Sequence, residues 1–441
     1  MFRAHRPFHP GRLPFFYGWV IMVCGIVGQL MSLPGQTIGI SVFTDDLIQA
    51  TGLSRLNLST AYMFGTALGS FLLPLSGRFY DVAGARTAAM TAGAGLGLSL
   101  LYMSQVDFLP RLLAGDSPPT WMNFAFVLIG ILMIRFTGQG TLTLISRNVL
   151  MEWFEAKRGL VNGVSGVFIS LSFSAAPWMF EQFIRGFTWR GAWLILAATV
   201  GLLFPVFAWL FFRDKPEDHG LLPDGRRSRE TSGTTIGNED ASREDSAQSE
   251  AKSYTAAQAR RTYEFWVYSL ALSVFALYAT AMTFHIFSLF AKAGMGRDEA
   301  VAIFPAMAIV AVVSNLIGGW LSDRTSLRWF LILFMVGLIV SALSLLYLDR
   351  PGATLWLIAG NGLGSGMFGL LSSVVWPRLF GRKHLGAVSG AGLFWNILFS
   401  AFGPVLFALA ESRTGDYRTA IIACLAAMII FLGAAFFVKR D

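Results

Sequence analysis

Apolar positions in this chain run together over long stretches. Twelve runs of roughly 20 residues follow one another, at about 16–40, 57–77, 86–105, 121–146, 159–182, 191–212, 264–290, 299–320, 329–348, 354–377, 386–408 and 418–438. In a helix, some 20 residues cross a hydrocarbon layer ~30 Å thick. Lipid offers no water to open backbone groups, so the runs are expected to be helices. A closed barrel would show short alternating segments, and none occur. The pattern predicts an all-α membrane protein with 12 transmembrane helices. It breaks once, over 214–262, where the chain turns polar, charged and poor in aromatics. That stretch reads as a largely disordered cytoplasmic linker between helix bundles at 1–213 and 263–441.

The two bundles repeat each other. Gly52-Leu-Ser-Arg55 and Gly77-Arg-Phe-Tyr-Asp81 recur 242 residues later as Gly294-Met-Gly-Arg297 and Gly319-Trp-Leu-Ser-Asp323. Gly159-Leu-Val-Asn-Gly163, running to Pro177, recurs 227 residues later as Gly386-Ala-Val-Ser-Gly390, running to Pro404. Arg135-Phe-Thr-Gly-Gln-Gly140 lines up with Asn361-Gly-Leu-Gly-Ser-Gly366 at an offset of 226. Spans 2, 4 and 5 therefore match spans 8, 10 and 11. The expected fold is two six-helix pseudo-symmetric bundles, related as parallel repeats about the membrane normal. A membrane protein so built usually moves something between its halves.

Composition supports the membrane reading. Charged residues make up 14% of the chain and hydrophobic ones 54%, against about 25% charge in soluble proteins. The basic N-terminus leads into a run too long for a signal-peptide core, so the first span reads as uncleaved. With both termini cytoplasmic, 24 of the 34 Lys and Arg fall on the cytoplasmic side, nine fall opposite, and Arg135 alone lies inside a span. Positive charge inside fixes that orientation in an inner or plasma membrane. The net charge of +8 then reports topology and not nucleic-acid binding. Cys24 and Cys424 fall within spans and read as packing residues. Glycines cluster in spans (Gly93, Gly95, Gly97; Gly360 to Gly369), where they suit close helix packing or sliding.

The loops carry a family resemblance. Gly77, Asp81, Gly84 and Arg86 match the G-x-x-x-D-R-x-G-R signature between spans 2 and 3 of the major facilitator superfamily, with Val82 in place of an Arg. Gly319, Asp323 and Arg324 form the weaker second copy. Arg135-Phe-Thr-Gly-Gln-Gly140 resembles that superfamily's R-F-x-x-G signature in span 4. More narrowly, Phe16-Tyr-Gly-Trp19 and Trp153-Phe-Glu-Ala-Lys-Arg158-Gly-Leu-Val-Asn-Gly163 are similar to the oxalate:formate antiporter and monocarboxylate transporter branch, which moves small organic anions by exchange or with a proton. That branch commonly places a basic residue or an Asp–Arg pair in span 8, and some members add a Lys in span 11. Span 8 here, from Ala300 to Leu321, has neither acid nor base, and span 11 has no Lys.

Gating residues are expected at these loops: Gly77, Asp81, Arg86, Gly319, Asp323, Arg324 and Arg158. Asp81 and Asp323 end spans 2 and 8 on the side where spans 11 and 5 begin. A carboxylate against a helix N-terminus gains about 0.3–1 kcal/mol, so the pair would latch that side shut. The alternative is that both are solvated loop charges.

Arg135 sits well inside its span, 14 residues from one end and 11 from the other. Burying it alone costs ~2.5–3.5 kcal/mol even on insertion scales, so it should face the bundle interior or a wet cavity. An anion-binding role and a structural one, bonding carbonyls of neighbouring helices, both stay open. Gly25, Gln29, Ser32, Gln36 and Gly39 share one face of span 1, which Pro34-Gly35 interrupts. Tyr278 and His285 share a face of span 7, and span 11 offers Trp395, Asn396 and Ser400. The superfamily resemblance implies a cavity lined by spans 1, 4, 7 and 10. The substrate-contact candidates are thus Gln29, Gln36, Arg135, Gln139, Tyr278, His285, Asn361, Ser365, Trp395 and Asn396, each also explicable as an inter-helix hydrogen bond.

No Asp or Glu lies mid-span, so no carboxylate proton relay is expected. There is no metal cluster, nucleotide loop or nucleophile triad, hence no catalytic residue, metal or cofactor, and no enzyme. The expected partners are a small-molecule substrate and the bilayer, with a coupling proton or counter-substrate left open, and the chain is expected to be a monomer. The leading expectation is a transporter moving a small organic anion by alternating access. The alternatives are an exporter of amphipathic or neutral small molecules and a non-transporting membrane solute sensor.

Overall fold

The computed structural model describes residues 7–154, 157–225, 254–322, 324–381 and 385–439. Asp323, the side chain of Arg158 and residues 226–253 lie outside them. No strand occurs among the described residues. The chain divides into two compact units, Met1–Gly233 and Thr234–Asp441.

In the first unit, α1 spans Gly18–Ser41 and α4 spans Thr120–Trp153. The other four helices come from two long runs. Arg55–Ser104 is broken at Gly84, whose φ of 79° belongs to the left-handed region, giving α2 (55–83) and α3 (85–104). The second run breaks at Thr188, with φ 64°, giving α5 (158–187) and α6 (189–211). Such a φ is a genuine outlier for a β-branched residue. The second unit holds α7 Tyr263–Lys292, α8 Arg297–Ser322, α9 Leu327–Leu346, α10 Ala353–Phe380, α11 Leu385–Thr414 and α12 Arg418–Ala435. Among the described residues each apolar run of the sequence corresponds to one of these helices, six to a unit.

Local chemistry starts the helices where the polar punctuation stands. Ser54 Oγ accepts from Asn57 N at 3.1 Å ahead of α2, and Thr262 Oγ1 accepts from Phe265 N at 3.3 Å ahead of α7. Each satisfies one of the donors a helix start leaves open. The glycine row of α10 is explained by close packing on two sides. A Cβ on Gly360 would lie 2.6 Å from Ser341 N of α9, and one on Gly366 would lie 2.5 Å from Ala311 O of α8.

The expected linker is shorter at both described ends. Residues 214–225 are built onto the first unit: Trp153 Nε1 donates to Asp214 O at 3.2 Å, and His219 is buried. Thr255 and Gln258 form a capping box, and Tyr254 N donates to Phe380 O at 2.9 Å in the second unit. Polar composition hid these contacts, because the partners lie far off in sequence.

Candidate functional site

The first unit is most irregular where α1 meets α4. Pro34 has no N–H to give, so α1 passes through a tight turn at Leu33–Gly35 and an extended Gln36 before resuming at Thr37. Facing it, Arg135–Leu142 of α4 is π-helical, a widened turn that is frequent at functional sites. Two hydroxyls serve the displaced carbonyls: Thr141 Oγ1 donates to Phe136 O at 2.9 Å and Thr143 Oγ1 to Gly138 O at 3.3 Å. The two irregular stretches touch through glycine. A Cβ on Gly35 would lie 2.8 Å from Gly138 Cα, and one on Gly138 would lie 2.9 Å from Gly35 Cα.

Arg135 opens the widened turn and is only 3% exposed. Its Nε donates to Thr66 Oγ1 at 3.1 Å, and its Nη1 to Gly35 O at 3.2 Å and Thr37 Oγ1 at 3.5 Å. The guanidinium carbon stands 4.9 Å from the centre of the Tyr62 ring, a cation–π distance. Tyr62 is tied in turn to Thr37 by a 2.6 Å hydroxyl bond. The buried Nη2 has no hydrogen-bond partner, and no carboxylate pairs with the charge among the described residues.

The polar face expected on α1 continues this seam. Gln36 Nε2 donates to Ser32 Oγ at 3.1 Å and to Thr143 Oγ1 at 3.2 Å. Gln29 is buried, and Gln139 is half-buried with no side-chain hydrogen bond to the described residues. One turn beyond Thr143 stands Arg147, exposed and without a hydrogen bond or ion pair among the described residues. The sequence reading closed span 4 at residue 146 and left Arg147 outside it. Helix α4 runs on to Trp153, so Arg135 is not the only guanidinium on that helix. Helical spacing was the available signal, since Arg147 lies four residues after Thr143.

The second unit treats its candidates differently. Tyr278 is fully buried, its hydroxyl 2.9 Å from Ser341 Oγ of α9. His285 is also fully buried. Its Nε2 meets Pro404 O at 2.8 Å, and a carbonyl can only accept, so Nε2 carries the proton. Phe284, Phe407 and Tyr417 surround the ring. Both residues sit in the packing between helices. Asn361, the counterpart of Arg135, has Nδ2 3.7 Å from Met282 Sδ and accepts from Ser365 Oγ at 3.4 Å. Asn396 Nδ2 donates to Leu272 O at 3.1 Å, and Trp395 packs on Trp266 with ring centres 5.8 Å apart.

The turn between α2 and α3 is held within its own unit. The Asp214 carboxylate accepts from Arg86 N at 2.9 Å, and Arg86 Nε donates to Phe212 O at 2.9 Å. Asp214 lies so close that a Cβ on Gly84 would come within 2.6 Å of its carboxyl group. Behind it, Arg213 is buried, with Nη1 donating to Leu210 O and Phe212 O at 2.9 and 2.7 Å. Burial, and then the neighbouring Arg86 guanidinium, pulls Arg213 below its ordinary value to about 10. Asp81 is exposed and makes no side-chain hydrogen bond among the described residues. A Cβ on Gly77 or Gly319 would meet open space, so the packing of neither unit requires glycine there. In the second unit Arg324 stands 4.3 Å from the Trp320 ring, and Arg378 holds the matching turn by donating to Ser322 O and Thr325 O. No group of metal-ligating residues occurs among the described residues.

The Major Facilitator Superfamily profile matches residues 25–404. Among curated proteins, Monocarboxylate transporter 12 of Mus musculus is 27% identical over 349 residues, covering 73% of this chain and 68% of that protein. Its Xenopus laevis counterpart is 25% identical, covering 73% and 70%. A solved structure of a bacterial homolog to the human lysosomal transporter Spinster, inward-facing and unoccupied, aligns with a TM-score of 0.66 at 14% identity, over 95% of this chain and 96% of that one.

Proposed function

The chain belongs to the Major Facilitator Superfamily, and from that premise we propose that it moves a small organic anion of the monocarboxylate kind. It is a multi-pass membrane transporter; the substrate class is our inference. One observation carries it: among the described residues the buried Arg135 guanidinium has no hydrogen-bond acceptor for Nη2, in a seam where α1 and α4 are both irregular. A buried charge left unpaired is unfavourable. A carboxylate supplies both the missing charge and the missing acceptor, in a geometry the guanidinium fork suits. No mid-span Asp or Glu competes for that place, so a single negative charge is the natural complement. The relatives named as monocarboxylate transporters support the same class.

In this reading the protein works by alternating access with both termini in the cytoplasm, coupled to a proton or a counter-anion. Arg135 binds the carboxylate, Thr66, Thr37 and Tyr62 hold the guanidinium in place, and Arg147 adds a second positive charge along α4. The test is uptake of radiolabelled lactate by proteoliposomes, with lactamide as the uncharged control. Lactate is expected to enter, and Arg135→Gln to abolish its entry while thermal stability is retained. Equal entry of lactamide, or unchanged uptake by Arg135→Gln, would refute the reading.

A further inference from the structure

The second unit contains a cavity of about 370 Å³ between α7, α10 and α11. That volume lies toward the lower end of the ~300–1,000 Å³ usual for small-molecule sites. Its walls are Leu272, Phe368, Trp376 and Leu393, with Ser372, Ser389 and Asn396 as the polar groups and Gly390 and Gly392 as bare backbone.

The walls are fixed before any ligand arrives. Trp376 lies against Gly392 so closely that a Cβ there would come within 2.6 Å of the indole. The indole also packs on Phe265 and Phe380, with ring centres 5.8 and 6.2 Å away. Phe368 rests on Phe275 at 4.7 Å. Asn396 spends its Nδ2 on Leu272 O, which fixes the amide and leaves Oδ1 as an acceptor with no partner among the described residues. Ser372 spends its hydroxyl proton on Gly369 O at 3.1 Å. Rigid aromatic walls beside the oriented amide acceptor of Asn396 favour a flat, apolar guest that brings its own donor.

Among the described residues no charged side chain lines the cavity. A carboxylate entering it would lose its water and meet no cation among those residues, which is strongly unfavourable. The cavity therefore differs in kind from the Arg135 seam of the first unit. We propose that the second unit holds its own binding site for a neutral aromatic compound carrying a single N–H or O–H donor, which bonds to Asn396 Oδ1. The proposal stands apart from the anion reading.

The experiment uses the purified full chain in detergent with indole as probe, followed by equilibrium dialysis and thermal shift. Indole taken up by micelles is common to all variants and cancels between them. Indole is expected to bind saturably, and N-methylindole, which cannot donate, roughly fivefold more weakly. Ser372→Phe, which fills the cavity from α10, should abolish binding. Leu393→Trp, on the exposed rim, serves the same purpose should the first variant fail to fold. Absent saturable binding, equal binding of the two probes, or full indole binding by a folded Ser372→Phe or Leu393→Trp protein would overturn the proposal. Lactate uptake by the same preparations reports on the anion reading separately.

Discussion

The two units share one helical plan and differ in what they place inside it. In the first, α1 and α4 are both irregular, and a charged seam runs where they meet. In the second, α7 has neither glycine nor proline and stays helical for 30 residues, and α10 keeps α-helical geometry beside it. The difference traces to single side chains. Thr141 and Thr143 support the widened turn of α4; at the 226-residue offset α10 has Met367 and Gly369, which offer no hydroxyl. Arg135 is answered by Asn361, and the second unit offers an aromatic cavity with no charged side chain among its described lining residues. The repeat thus keeps the order of the helices while local backbone geometry and chemistry separate, with charge in one unit and shape in the other.

The sharpest break of that comparison is Arg135→Gln against Asn361→Ala. The first should lower anion uptake roughly 30-fold or more, the equivalent of the ~2–5 kcal/mol lost when one side of a buried charge pair goes. The second should change uptake less than about threefold, since Asn361 makes only weak neutral contacts. Parallel effects at both positions would mean that the units are chemically alike. Next comes Gly84→Ala. A positive φ and the Asp214 carboxyl stand against the new methyl group, so ~2–3 kcal/mol of stability should be lost on denaturant titration. At the matching place Ser326 has φ −67°, and Ser326→Ala should lose less than about 1 kcal/mol. Thr143→Val removes a hydroxyl shared by Gln36, Ser32 and Gly138 and should lower stability by about 1–2 kcal/mol. Smallest is Asp81→Asn. Its carboxylate makes no hydrogen bond among the described residues, so the melting temperature should hold while uptake falls severalfold. Unchanged uptake would remove any gating role.

The helices were legible because lipid makes apolar run length decisive. Gly84 stood out only as one position of the signature between α2 and α3, not as the break its positive φ makes. What escaped depends on residues far apart in the chain. Asp214 reaches Arg86 across 128 positions, and nothing in the polar stretch after α6 distinguishes it from linker. The widened turn of α4 rests on two threonines that look like ordinary helix residues. Arg147 was lost to a helix end placed seven residues early. Gln36, singled out by its place on the face of α1, reaches Ser32 and Thr143. Tyr278 and His285 passed the same spacing test, yet they point into packing, because periodicity names a face and not what the face meets.

The contact of Gly35 with Gly138 has a mechanical side. A helix bends most readily where its hydrogen-bond ladder is interrupted. Here two interruptions abut, and one guanidinium bonds the freed carbonyl of Gly35, so α1 and α4 share a single joint whose stiffness Arg135 sets. An anion that draws the guanidinium away would slacken it. Amide exchange at Gln36 to Gly39 should therefore quicken in Arg135→Gln; under the proposed anion reading, this joint would turn recognition of charge into movement of the rods around it.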